Sequence, residues 1–341
     1  MYDRGMASRM KDIARDLNVS VITVSKVLRN HPDISEATRD RVLRRMKELN
    51  YRPNLAARSL VTGKSYSIGL IVPDLVHPFF AELAKGISSI LRERGYGLMI
   101  SSSEGSPSLE QQEIEQMLAR GVDAVIIAST QLTVESFRQI EERRIPYVLL
   151  DRQFSGLPAN FVGIDDERAG MLATEHLISV GCRRIAHIRG PEVSTSLGRL
   201  SGYRRALLRH GLDLPAEYVA LEETGEEAAD TSGYEAMKKL LAIEPRPDGV
   251  FCYNDPTALG AMQAIVEAGL RIPQDVALIG CGNVVYAPLL MVSLSSIDQD
   301  NFAMGTRAGE LALSLLTAKS KGKPQTILLE PKVVARASSA R

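Results

Sequence analysis

From Tyr66 onward the chain alternates short, wholly apolar runs with longer amphipathic ones, and this alternation limits the fold more than any other feature. Ile68–Pro73, Leu98–Ser101, Ala124–Ala128 and Tyr147–Leu150 are continuous apolar runs of the kind that form parallel strands buried on both faces. Helical periodicity fills the intervals near 79–94, 108–120 and 133–143. A second set of strands, Phe161–Ile164, Ile185–Ile188, Val250–Tyr253 and Val276–Ile279, is separated by helical stretches near 167–180, 195–210, 231–242 and 256–268. Two such series predict two doubly wound α/β lobes, and about 275 residues is long for a single core. Ligands of such sheets bind beyond the carboxyl ends of the strands. That rule marks Asp74, Asp151, Arg152, Asp165, Asn254 and Asp255 for scrutiny.

The first sixty residues follow a different pattern. Lys11–Leu17 is a short amphipathic helix with Ile13, Ala14 and Leu17 on one face. Asn18-Val19-Ser20 breaks it, and Ser20 caps a second helix running from Val21 to about Arg29. This is the spacing of a helix-turn-helix, although an ordinary helical hairpin has the same periodicity. Val24, Val27 and Leu28 point inward, leaving Val21, Ile22, Ser25, Lys26 and Arg29 for DNA. Pro32–Glu36 supplies a turn and cap for a third helix to Leu49, with Val42, Leu43, Met46 and Leu49 on its buried side. Residues 1–64 hold 14 Lys or Arg against 7 Asp or Glu, whereas the whole chain holds 41 of each. A net charge of zero therefore hides a basic head on an acidic body, which suits phosphate contact at one end only.

Several functions are excluded by what the motifs lack. Gly63-Lys64-Ser65 is not a P-loop, because Arg58 stands where the first glycine is required. Cys182, Cys252 and Cys281 are odd in number and widely spaced, so neither a disulfide framework nor a zinc site is expected; Cys252 and Cys281 read as small core residues. His31, His77, His176, His187 and His210 lack metal-ligand spacing, and His176 reads as structural. No nucleophilic triad is discernible, so neither enzyme activity nor a cofactor is expected. There is neither a membrane-length apolar run nor a basic-then-apolar start, and the expected location is the cytoplasm. Residues 1–8 are expected to be a disordered start.

The segments Asp12-Ile13-Ala14, Thr23-Val24-Ser25, Tyr51-Arg52-Pro53-Asn54 and Ala57-Arg58-Ser59-Leu60 resemble the head of the lactose-repressor (LacI/GalR) family of bacterial transcription regulators. The likeness continues in order through Ile68–Pro73, Pro78-Phe79-Phe80, Thr174–Leu177, Asn254-Asp255 and Ile272–Val276. It implies a helix-turn-helix domain over 9–52, a hinge helix and linker over 53–65, and a two-lobed periplasmic-binding-protein-like body over 66–341. In that layout lobe 1 spans about 66–161 plus 294–323, lobe 2 about 162–293 plus 324–341, and the chain crosses near 162, 293 and 324. The implied function is a sequence-specific DNA-binding regulator, a repressor, controlled by a sugar or a phosphorylated or acidic metabolite between the lobes.

The family likeness also assigns roles. Val21, Ile22 and Lys26 align with the base-reading positions, and Ser20, Thr23, Ser25 and Arg29 surround them. Val21 and Ile22 suit thymine methyl groups, while Lys26 suits guanine O6 or N7. In the hinge, Asn54, Ala57 and Arg58 join the DNA contacts, and Leu60 aligns with a minor-groove wedge. Asp151, Arg199 and Asn254 align with ligand-holding residues, and Phe79 and Phe80 with sugar-stacking rings; Asp74 and Gln299 complete the expected effector set. Two departures weaken a neutral sugar as ligand: Gly282 stands where the family carries a hydroxyl-holding Asp, and the chain has no Trp. Only a short Ala/Ser tail, and no leucine-heptad helix, follows Val334, so a homodimer on a pseudo-palindromic operator is expected, without a membrane partner.

Overall fold

The computed structural model describes residues 9–28, 31–51, 59, 62–221, 229–318 and 322–341. The chain divides between Ser65 and Tyr66 into two compact units.

In the first unit, α1 (Met10–Asp16), α2 (Val21–Leu28) and α3 (Glu36–Glu48) enclose a small core of Ile13, Ala14, Val24, Val27, Val42 and Met46. The turn between α1 and α2 closes where Val19 N–H donates to Ala14 O at 2.9 Å, with Asn18 in the left-handed region that asparagine tolerates. Ser20 Oγ then accepts Thr23 N–H at 3.0 Å, and Ser35 repeats this cap at α3. Arg45 grips Asp16 through Nε at 3.0 Å and Nη2 at 2.5 Å, tying α3 to α1. One expectation is corrected: Leu43 is exposed, because Val42 and Met46, four residues apart, already set the inward face of α3.

The second unit contains two six-stranded sheets. Its elements run β1 (Ser67–Val72), α4 (Pro78–Glu93), β2 (Gly97–Ser102), α5 (Pro107–Ala119), β3 (Ala124–Ile127), α6 (Arg138–Glu142), β4 (Tyr147–Leu150) and β5 (Asn160–Ile164). Next come α7 (Asp166–Ser179), β6 (Ile185–Arg189), α8 (Ser194–Arg209), β7 (Val219–Leu221), α9 (Ala229–Leu241), β8 (Gly249–Cys252), α10 (Asp255–Glu267) and β9 (Ala277–Cys281). The chain ends with β10 (Ser295–Asp298), α11 (Asn301–Thr317), β11 (Thr326–Leu329) and β12 (Lys332–Val334). The sheet orders are β11-β5-β4-β3-β1-β2 and β12-β10-β9-β8-β6-β7, parallel except for β12 on β10.

The chain crosses between sheets after Ile164, after Asp298 and after Leu329. Each crossing falls later than the positions near 162, 293 and 324 suggested by the family likeness. The whole of β5 and β11 lies in lobe 1, and the whole of β10 in lobe 2, because each strand completes its pairing before the chain leaves its sheet. Paired helices cross closely on glycine: a Cβ on Gly86 would stand 2.3 Å from Phe302 O, and one on Gly202 2.0 Å from Glu167 O.

Residues 336–341, which read as a plain Ala/Ser tail, instead seal lobe 2. Ser338 and Ser339 are fully buried: Ser338 Oγ donates to Leu278 O at 2.7 Å, and Ser339 Oγ meets His176 Nε2 at 2.7 Å. His187 on β6 is stacked on Phe251, its Nδ1 bonded to Phe251 O at 2.9 Å. Burial pushes it down to about 4, so its stabilising contribution is complete above the ordinary histidine range and is lost as pH falls towards 4. Between pH 7 and 5 the protein should lose on the order of 2 kcal/mol through this ring. Urea midpoints of wild type and His187→Phe at both pH values measure it; an equal acid loss in the two chains excludes the ring as its source.

Candidate functional site

The strand ends that face each other across the lobes form a cleft. Lobe 1 contributes Asp151 and Arg152 after β4, and His77, Phe79 and Phe80 at the start of α4. Lobe 2 contributes Arg199 of α8, Tyr253 and Asn254 after β8, and Cys281 and Gly282 at the end of β9. Gln299 closes the floor at the second crossing. The cavity is about 60 Å³. Gln153 N–H donates to Ser194 Oγ at 3.0 Å, linking the lobes at its edge. Asn301 Nδ2 donates both to Gly282 O and to Glu82 Oε2 of α4, each at 2.8 Å, linking them again beneath it.

Arg199 is the central cation. Its Nε donates to Asp166 Oδ1 at 2.9 Å, Nη1 to Tyr253 O at 2.8 Å and Nη2 to Gln299 Oε1 at 3.4 Å, with the guanidinium 5.0 Å from the Tyr253 ring centre. Burial, against the pull of Arg199 and with help from Asp151, pushes Asp166 up to about 7. Asp151 sits at φ +64° and is raised above the usual carboxylate range by burial, with Arg199 and Arg152 opposing. Arg152 Nη1 reaches Ser129 O at 3.0 Å, and Ser129 donates in turn to buried Glu110 at 2.6 Å. Burial pushes the Cys281 thiol up to about 12, so it stays protonated on the cleft wall.

Of the expected effector residues, Phe79, Phe80, Asp151, Arg199, Asn254 and Gln299 come together in this cleft. Asp74 is not among its lining; its Oδ1 caps the loop by accepting Val76 N–H at 2.7 Å. His77, Tyr253 and Asp166 were not anticipated. His77 had a local signal, since it stands directly before the Pro78-Phe79-Phe80 helix start; the other two depend on what α8 brings to them. Cys281, expected as core, is both buried and on the wall. Gly282 does line the cleft, at φ +129°, a conformation strained for any residue with a Cβ.

On the head, Val21 and Ile22 are exposed rather than part of the core, and Ser20 is exposed beside them. Thr23, Ser25 and Lys26 are half-buried on the same helix. Lys26 Nζ pairs with Asp33 Oδ2 at 2.5 Å, so a DNA base would have to compete with that carboxylate. The expected contacts Arg29, Asn54, Ala57, Arg58 and Leu60, most of the hinge helix, and the expected disordered start lie outside the described residues. Among the described residues no helix is long and apolar enough to cross a membrane, and no group of three His, Cys, Asp or Glu is placed to hold a metal.

A helix-turn-helix unit joined to a two-lobed body with an interlobe cleft defines a class: DNA-binding regulators built on a periplasmic-binding-protein-like domain. The sequence profile of bacterial regulatory proteins of the lacI family matches residues 9–54, and that of the periplasmic binding protein-like domain matches 174–339. The ribose operon repressor of Escherichia coli (strain K12) is 34% identical over 334 residues, covering 97% of this chain and 99% of that protein. Catabolite control protein A of Priestia megaterium is 33% identical over 90% of each chain. A lac repressor dimer solved on its operator with an anti-inducer superposes with a TM-score of 0.84 at 26% identity, covering 98% of this chain and all of that one. The chain belongs to the LacI family of bacterial regulatory proteins, DNA-binding transcription regulators controlled by small-molecule effectors.

Proposed function

We propose that this chain is a cytoplasmic, homodimeric repressor that reads a pseudo-palindromic operator with two heads and changes its grip when a small metabolite occupies the cleft. The observation that carries the reading is the two-sided construction of that cleft. Asp151 stands on one lobe and Arg199 on the other, so a ligand touching both favours one lobe arrangement over another. At the head, exposed Val21 and Ile22 suit thymine methyl groups, and Lys26 can turn from Asp33 to a guanine edge.

An apolar patch supports the dimer. Val285, Leu289 and Met291 are exposed on one loop of lobe 2, and Leu289 and Met291 are at 78% and 107% of full accessibility. Clustered apolar side chains of this kind mark an interface. Leu289→Asp with Met291→Asp should give a folded monomer in sedimentation velocity. Operator affinity should fall roughly 100-fold, as two half-sites cease to be bound together. A double variant that remains dimeric moves the interface elsewhere.

The deciding experiment is selection of sites from random DNA by the full-length protein, beside a truncation lacking residues 1–64, at near-physiological salt. Enrichment of a pseudo-palindrome by the full chain alone is expected. Weak, salt-sensitive retention without a consensus, repeated with candidate ligands present, would reduce the head to nonspecific phosphate binding.

A further inference from the structure

Three polar side chains that line the cleft have an acceptor atom already occupied within the protein, which leaves a donor as the uncommitted end of each. Asn254 Oδ1 is occupied twice, by Thr257 N–H at 2.8 Å and Thr257 Oγ1 at 2.7 Å, which leaves Nδ2 as the end for a ligand. Gln299 Oε1 accepts from Arg199, so its Nε2 is likewise the remaining end. His77 Nδ1 accepts Phe79 N–H at 3.2 Å as the cap of α4. A neutral imidazole that accepts at Nδ1 carries its proton on Nε2, and burial, pushing this ring down to about 4, keeps it neutral. Arg152 Nε is buried without a hydrogen-bond partner.

Acceptors are scarce by comparison. The Asp151 carboxylate lies 4.0 Å from Arg152 Nε, beyond hydrogen-bond distance, and is therefore open to a ligand hydroxyl. Gly282 offers no side chain, and its carbonyl is engaged by Asn301. A neutral sugar brings one O–H donor with every hydroxyl oxygen, and most of those protons would face other donors here. An oxyanion accepts several hydrogen bonds and donates none, and bonds to it are stronger than neutral ones.

Resting on the effector-cleft reading above, we propose that the cleft selects a compact polyol bearing an oxyanion, either a carboxylate or a phosphate ester. The oxyanion is received by His77 Nε2–H, Arg152 and the amides of Asn254 and Gln299, while a hydroxyl donates to Asp151. The requirement for an acceptor at His77 is what separates this cleft from one built for neutral sugars.

The test is thermal unfolding of the full-length protein with matched pairs: D-gluconate against D-glucose, D-galacturonate against D-galactose, and D-ribose 5-phosphate against D-ribose. At least one acidic member should raise the midpoint by roughly 5 °C near saturation, its neutral counterpart should not, and the arms distinguish carboxylate from phosphate. His77→Asn keeps a good N-cap for α4 but withdraws the Nε2 donor. It should leave the unliganded midpoint unchanged and weaken the responding acid roughly tenfold. Binding of neutral sugars without the acids overturns the oxyanion assignment and leaves the effector cleft standing. Acid binding indifferent to both His77→Asn and Arg152→Leu overturns the placement, and silence from every compound overturns both readings.

Discussion

Arg199→Leu is expected to cost the body about 3–5 kcal/mol, and adding Asp166→Asn should restore most of it. The two side chains are 2.9 Å apart and only 4% and 12% exposed. Without the guanidinium, Asp166 is a buried carboxylate with no counter-charge, and Tyr253 O and Gln299 Oε1 lose their donor. Asp166 is already raised to about 7 with Arg199 present, and removing the cation raises it further. A carboxyl whose folded pKa lies above its unfolded value is stabilising when protonated, so the deficit should shrink as pH falls from neutral towards 4. Asp166→Asn should abolish that pH dependence. Urea unfolding of the four chains in the cycle at pH 7 and pH 5 reads both effects. A deficit that is independent of pH and unrelieved by Asp166→Asn would show that Arg199 stabilises by packing alone. The single variant should also bind operator without responding to effector, because the lobe 2 wall of the cleft has lost its anchor.

Gly202→Ala should be nearly as damaging for a different reason. The added Cβ would lie 2.0 Å from Glu167 O and 2.6 Å from Met171 N, both backbone atoms of α7 that cannot rotate away. The two helices must part, so the cost should reach about 3 kcal/mol or more, at the upper end of ordinary overpacking. Arg199 lies on the same helix one turn earlier, so the shift is transmitted to the cleft. Gly309→Ala is the control. It is also buried in a helix against another helix, but its nearest neighbours are 3.5 Å away. There the gain in helix propensity, up to about 1 kcal/mol, should leave the protein neutral or stabilised. Equal losses in the two variants would show that glycine is needed for something other than close approach.

The contrast between these glycines shows where sequence reading stops. A helix expected near 167–180 is found at Asp166–Ser179, and one near 195–210 at Ser194–Arg209, because amphipathic period and capping are local properties. Nothing local says that Gly202 is pressed against Glu167 while Gly309 has space. β10 begins with two serines, and β12 is only three residues long. Both went unread because neither presents an apolar run; their stability comes from partners far along the chain. Ser338 and Ser339 look like a solvated tail, yet are buried by bonds to Leu278, Ser295 and His176.

The same division holds for the site. Asp151 and Asn254 were legible because they end strands, and Arg199, Phe79 and Phe80 because they match the family in place. His77 and Tyr253 become cleft residues only once two lobes face one another, and Asp166 enters only as the partner that the packing of α7 on α8 gives Arg199 within lobe 2. The sequence by itself determined the alternation of strand and helix, the basic helix-turn-helix head and the family, since each depends on residues within a few turns of one another or on matched blocks in order. Tertiary structure alone decided where the chain crosses between lobes, which glycines are indispensable and which way each polar group in the cleft points. Those depend on strand pairing, backbone approach and hydrogen-bond partners as many as 219 residues apart, as between Asn301 and Glu82, which no local pattern encodes.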